Sequence, residues 1–107
     1  MGGESFLVAE DAIDLIGFCS FKGNEVIGLY VAPRVALKGF GSALLAQAEA
    51  VIVAGGATEV RLVAALSSLA FYRKRGYREV RRKPWKTRGG LVIEVWDMLK
   101  SFDVHAQ

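Results

Sequence analysis

The sequence predicts an α/β domain built on one mixed central sheet, with two helices and a C-terminal hairpin. Three observations predict it. The turn signal Lys22-Gly23-Asn24 joins two apolar runs into an opening β-meander. A strand, a glycine loop, a helix and a returning strand follow, which is the order of a parallel βαβ unit. The chain then closes on two strand-like segments about a polar turn.

Taken in order, Phe6 to Ala9 is apolar and bounded by Glu10 and Asp11, as a short strand before a turn is. Leu15 to Phe21 makes the second strand and Glu25 to Val31 the third. Gly28 lies inside that third strand, where a glycine weakens pairing unless a bulge or a closely approaching backbone requires it. Pro33 ends the strand. From Gly41 to Ala54 the residues Leu44, Leu45, Ala48, Val51 and Ile52 recur at helical spacing, and Gly55-Gly56 stops the helix. Glu59 to Ala64, rich in Val and Leu, reads as a buried parallel strand. Ser67 or Ser68 caps a second helix to about Arg75, with Gly76 as its stop. Tyr77 to Val80 begins another strand, Lys83 to Gly90 reads as a turn, and Leu91 to Leu99 alternates as the final strand. Ser101 to Gln107, with the lone His105, reads as a frayed tail.

At 107 residues, 52% of them hydrophobic, residues 1–107 form one domain with a single core. No apolar run approaches the roughly 18 residues that cross a bilayer. The opening Met-Gly-Gly-Glu-Ser-Phe has no basic region followed by an apolar stretch, so a cytosolic protein without a membrane partner is expected. Gly2 makes no myristoylation signal, because Phe6 stands where Ser or Thr is needed. Cys19 is alone, which leaves no internal disulfide and no cysteine-rich metal site; it is expected to pack as a small buried hydrophobe, and no metal is expected. The net charge of +3 fits a polyanionic partner. Nucleic acid is not expected, because the basic cluster from Arg73 to Arg88 lacks aromatic interleaving and no helix-turn-helix or zinc signature accompanies it.

The loop Ala36-Leu37-Lys38-Gly39-Phe40-Gly41-Ser42 lies between a strand and a helix N-terminus, where backbone N–H groups lack intrahelical partners. With the positive end of the helix dipole, these groups make a site for a pyrophosphate. Lys38 can add a charge and Ser42 a hydroxyl. Val31-Ala32-Pro33, five residues, and then Gly39-Phe40-Gly41-Ser42-Ala43-Leu44-Leu45 closely resemble the cofactor motif of the Gcn5-related N-acetyltransferases. Ala65 to Tyr72, three residues and Gly76-Tyr77 are similar to that family's second signature. The resemblance runs from about Phe6 to Lys100 and covers the family's strands two to seven with its third and fourth helices. It departs in two ways: Ala36 stands where the family usually has Gln or Arg, and the family's first strand and first two helices have no counterpart.

The resemblance implies acetyl-coenzyme A as co-substrate and an amine as acceptor, with the pyrophosphate on Leu37, Lys38, Gly39, Phe40, Gly41 and Ser42. It places a hydrogen bond to the acetyl carbonyl near Leu29 and the pantetheine pairing near Val31. Tyr72 matches the general acid that protonates the departing thiolate, a task suited to a tyrosine hydroxyl. Glu25 opens the third strand where some members carry a glutamate base, with Glu94 and Asp97 as further candidates. The expected activity is N-acetyl transfer to a primary amine of a small molecule or protein. An acyl-coenzyme A-binding module without turnover and a subunit completed by a partner chain are the alternatives. A homodimer is expected, because a sheet that starts at the family's second strand leaves an open edge and apolar surface from Leu15 to Phe21 facing water.

Overall fold

The computed structural model describes residues 3–102, so Gly2 and the tail residues from 103 on, His105 among them, lie outside the described residues. The elements are β1 Ser5–Glu10, β2 Leu15–Lys22, β3 Glu25–Val31, α1 Phe40–Ala54, β4 Glu59–Ala65, α2 Leu69–Lys74, β5 Arg78–Lys86 and β6 Val92–Ser101. They form one six-stranded sheet in the order β1-β2-β3-β4-β6-β5. Only β3 and β4 pair in parallel, so the sheet is mixed, as the order of meander, βαβ unit and hairpin requires.

Strict alternation along β4 buries Val60, Leu62 and Ala64 on one face and turns Arg61 and Val63 to the other. Onto the buried face α1 lays Leu44, Leu45, Ala48 and Ile52, and Cys19, Phe21, Val26, Leu69, Tyr77 and Met98 complete the core. Each large side chain removed from water contributes about 1.5–3 kcal/mol. Val51, expected on this stripe, is 49% exposed, and Glu49 takes the inward position instead.

Three sequence expectations are corrected. β5 continues to Lys86 through the segment expected to be a turn, because Lys83 to Lys86 pair with Val95 to Val92 on β6. The reversal is confined to Thr87–Leu91, where the Thr87 N–H donates to the Leu91 carbonyl and Gly90 has a φ of 90°. Ser101 is no tail residue but the end of β6, paired with Glu59. Finally, Leu15 to Phe21 does not meet water: apart from Leu15, its apolar residues are buried or half-buried, because Cys19 and Phe21 pack in the core with α1 and the Phe18 ring lies beside Phe6 and Tyr30.

The open edge belongs to β1, which has no outer neighbour among the described residues. Leu7 and Ala9 of β1 pack toward the core, so Phe6 and Val8 face away from the helices. The exposed apolar surface lies on that face. An aromatic row, Phe6, Phe18 and Tyr30, crosses β1, β2 and β3 with ring centroids 5.9 and 5.8 Å apart.

Candidate active site

The parallel pair β3 and β4 is in register only at Glu25 and Arg61. Asn24 fastens this end: its carbonyl accepts from the Arg61 N–H at 2.9 Å, and its side-chain amide donates to the Glu59 carbonyl at 3.2 Å. Beyond it β3 leaves β4. A bulge accounts for the departure, since Phe21 opposes Val26 while Ser20 opposes Gly28, so Ile27 is an extra residue that bends the strand. The bulge therefore falls on Ile27 and Gly28, where the glycine in the sequence signalled it. From Val26 to Val31 the β4 side of β3, including Leu29 and Val31, is an edge without a paired strand.

That edge leads into the glycine loop. A 3-10 turn at Pro33–Val35 is closed by the Ala36 N–H donating to the Pro33 carbonyl at 3.1 Å, and the next bond of this kind is from the Ala43 N–H to the Gly39 carbonyl at 3.0 Å. The N–H groups from Leu37 to Ser42 stand between these two bonds. The α1 N-terminus has no side-chain cap and no acidic residue in its first turn, so its partial positive charge is uncompensated. Leu37 has a φ of 67° with its side chain fully in solvent. A left-handed conformation costs a non-glycine residue roughly 1–2 kcal/mol, and strain of this kind concentrates at functional loops. Lys38 is exposed beside it.

The two loop glycines serve different purposes. Gly39 has a φ of 87° and a Cβ there would meet nothing within 4 Å, so it supplies the turn and leaves the approach to the helix end open. A Cβ at Gly41 would point into the protein, 3.4 Å from Val31 Cγ2 and 3.6 Å from Phe71 Cζ. Gly41 thus lets α1 start close against β3 and α2.

Tyr72 follows Phe71 on α2, half-buried, with its ring edge-on to Phe71 at 5.2 Å and to Tyr77 at 5.8 Å. Burial raises its pKa above the ordinary 10.0, and neighbouring Cys19 adds to the effect, so the hydroxyl keeps its proton at neutral pH. Burial, with a smaller contribution from Glu49, pushes the fully buried Cys19 thiol up to about 11, which removes it as a nucleophile. Of the three acidic candidates, Asp97 is held below the usual carboxylate range, first by its hydrogen bond from Lys83 and then by Arg81. A base with two cations on it accepts a proton poorly. Glu94 pairs with Arg82 in the open. Glu25 is half-buried, and among the described residues no ion pair reaches it.

The structure thus joins Val31, the loop Leu37–Ser42 and, through Phe71, the helix of Tyr72 at one end of the cleft. Glu25 sits at the other end, roughly 20 Å away along a seven-residue strand. Two features were missed in the sequence. Glu49 on α1 accepts a hydrogen bond from the Tyr77 hydroxyl at 2.7 Å and pairs with Lys100 at 3.3 Å, in the core beneath the cleft. Arg75 lies flat on the Phe71 ring at 3.9 Å and donates to the Phe71 carbonyl at 3.1 Å, with its buried Nε unpartnered. Polar residues on an apolar-patterned helix and at a helix end carry no periodic signal.

Proteins of known structure share this fold. A GCN5-related N-acetyltransferase from Rhodopseudomonas palustris superposes with a TM-score of 0.86 at 28% identity, over 92% of this chain and 62% of that one. The PaiA N-acetyltransferase of Thermoplasma acidophilum, solved in complex with coenzyme A, gives a TM-score of 0.72 at 29% identity over 92% and 61% of the two chains. Naa20 of Chaetomium thermophilum, in complex with a bisubstrate analogue, gives 0.78 at 25% identity over 91% and 65%. The chain therefore spans less than two thirds of the length of these three structures. The sequence pattern of the acetyltransferase (GNAT) domain matches residues 2–79, which takes in the meander, the cleft, the glycine loop and Tyr72, and by that match the chain belongs to the GNAT acetyltransferase family.

Proposed function

We propose that the protein transfers an acetyl group from acetyl-coenzyme A to a primary amine. The observation that carries this reading is the unpaired edge of β3 running into an uncapped helix N-terminus. Such an edge offers strand-like hydrogen bonds to an amide-bearing chain such as pantetheine, and Val31 and Leu29 lie along it. The N–H groups from Leu37 to Ser42 would hold the pyrophosphate, with Gly39 leaving the approach open and Lys38 supplying charge. An N–H near Leu29 would polarise the thioester carbonyl.

The proton balance assigns the remaining groups. At the far end of the cleft Glu25 receives the incoming ammonium and takes the proton it must lose before its nitrogen moves up the cleft to attack. Tyr72 gives a proton to sulfur as the C–S bond breaks and the N–C bond forms, and the proton then shed by the new amide restores the tyrosine. A positioned acid contributes about 10²- to 10⁴-fold. Tyr72→Phe keeps the ring and removes the hydroxyl, so kcat for coenzyme A release should fall by at least about tenfold with the affinity for acetyl-coenzyme A nearly unchanged. Equal kcat in the two proteins would reduce Tyr72 to packing. Tight cofactor binding without release across a panel of amines would instead identify a binding module.

A further inference from the structure

On the face away from the helices, a cavity of about 390 Å³ spans the gap between β3 and β4. Its walls are Ile27 from β3, Val63 from β4, Ile93 and Val95 from β6 and Trp85 from β5, and its one charged residue is Glu25. Ile27, Val63, Trp85 and Ile93 are 38–52% exposed, so the fold leaves four large apolar side chains in water around a single carboxylate. Cross-strand register puts Trp85 directly opposite Ile93. The adjoining cavity also contains Glu25, with Glu59 and Asp97 and the three cations Arg61, Arg81 and Lys83, of which Arg81 and Lys83 are already bound to Asp97. The cations thus line one side of Glu25, and none lines the apolar side.

From this arrangement we infer that the acceptor is a small amine carried on an apolar body of aromatic size, its ammonium on Glu25 and its body against Trp85 and Ile93. The inference rests on the acetyl-transfer reading for its location, since the cavity opens where β3 leaves β4. Its volume lies at the lower end of the roughly 300–1,000 Å³ of small-molecule sites, which fits a small amine. A carboxylate in an apolar setting prefers a charged amine to its neutral analogue, because an unpaired partner is left when the charge is missing.

Titration calorimetry with 2-phenylethylamine, its neutral analogue 2-phenylethanol and the small polar ethanolamine tests this without any turnover. We expect 2-phenylethylamine to bind at least tenfold more tightly than either of the others. Trp85→Ala should weaken it at least tenfold, and Glu25→Gln should abolish the preference over 2-phenylethanol while leaving the folded circular dichroism spectrum intact. Equal affinity for ethanolamine and 2-phenylethylamine, or a Glu25→Gln protein that still prefers the amine, would overturn the inference. The same amines are then offered with acetyl-coenzyme A: selective binding without coenzyme A release would uphold the cavity and sink the transfer reading, whereas release that favours ethanolamine would do the reverse.

Discussion

Glu49→Ala is the substitution whose effect the structure specifies most fully. Glu49 is the one acidic side chain buried in the core among the described residues, 8% exposed, and it is held there by the Tyr77 hydroxyl at 2.7 Å and by Lys100. Truncation leaves the Tyr77 hydroxyl, on a residue only 3% exposed, without its acceptor, a cost of about 1–3 kcal/mol. Breaking a buried ion pair costs about 3–5 kcal/mol, but the Lys100 side chain is 25% exposed and keeps part of its hydration, so only a fraction applies. We therefore expect a loss of about 3 kcal/mol, and a fall in Tm of about 12–24 °C for a domain of this size. Glu49→Gln retains an acceptor for Tyr77 and should cost about 1 kcal/mol. Urea unfolding followed by tryptophan fluorescence measures both. The same network predicts an alkaline limb. Burial first, and then the hydrogen bond to Glu49, raises Tyr77 well above the ordinary 10.0, so above pH 10 the unfolded chain gives up a proton that the fold retains. The contribution of Tyr77 is therefore full below pH 10 and is lost as pH rises beyond it, and Cys19, raised from 9.0 to about 11, adds a decline that begins near pH 9. A Glu49→Ala protein within 1 kcal/mol of the parent, or stability flat from pH 9 to 11, would refute the argument.

Two further expectations concern the surface. The Asp11 carboxylate accepts from the Asp14 and Ile13 N–H groups and from Arg34, which lowers its pKa from 3.8 to about 2; its contribution is present above 3.8 and lost as pH falls toward 2, and an NMR titration midpoint at or above 3.8 would contradict it. The open edge of β1, with Phe6 and Val8 exposed, should pair two copies of the chain, so light scattering should show a dimer that Val8→Lys reverts to monomer. A wild-type monomer at high micromolar concentration would oppose it.

The order of elements was legible because each one is punctuated locally: Gly23 has a φ of 60° in the turn between β2 and β3, Gly56 and Gly76 have positive φ at the two helix stops, and Gly39 has one at the loop. The reading failed where tertiary position overrides local signal. Lys83 to Lys86 looks like a turn because it is basic and contains Pro84, yet β5 is an edge strand, where a missing N–H can face outward and charged side chains stay wet. Glu49 escaped because its partners, Tyr77 and Lys100, lie 28 and 51 residues away. The glycine loop and Tyr72 were readable as contiguous motifs. The cavity around Glu25 was not, since its walls come from four strands whose register sequence spacing does not reveal.

On the acetyl-transfer reading, the cleft between β3 and β4 and the N-terminus of α1 form one cofactor site. An NMR titration of the ¹⁵N-labelled protein with acetyl-coenzyme A tests it most directly. We expect saturable shifts of the Leu37 to Ser42 amides together with Leu29 and Val31, and little change along the outer edge of β1. Saturable shifts that spare the loop and β3, or no shifts at millimolar acetyl-coenzyme A, would contradict it.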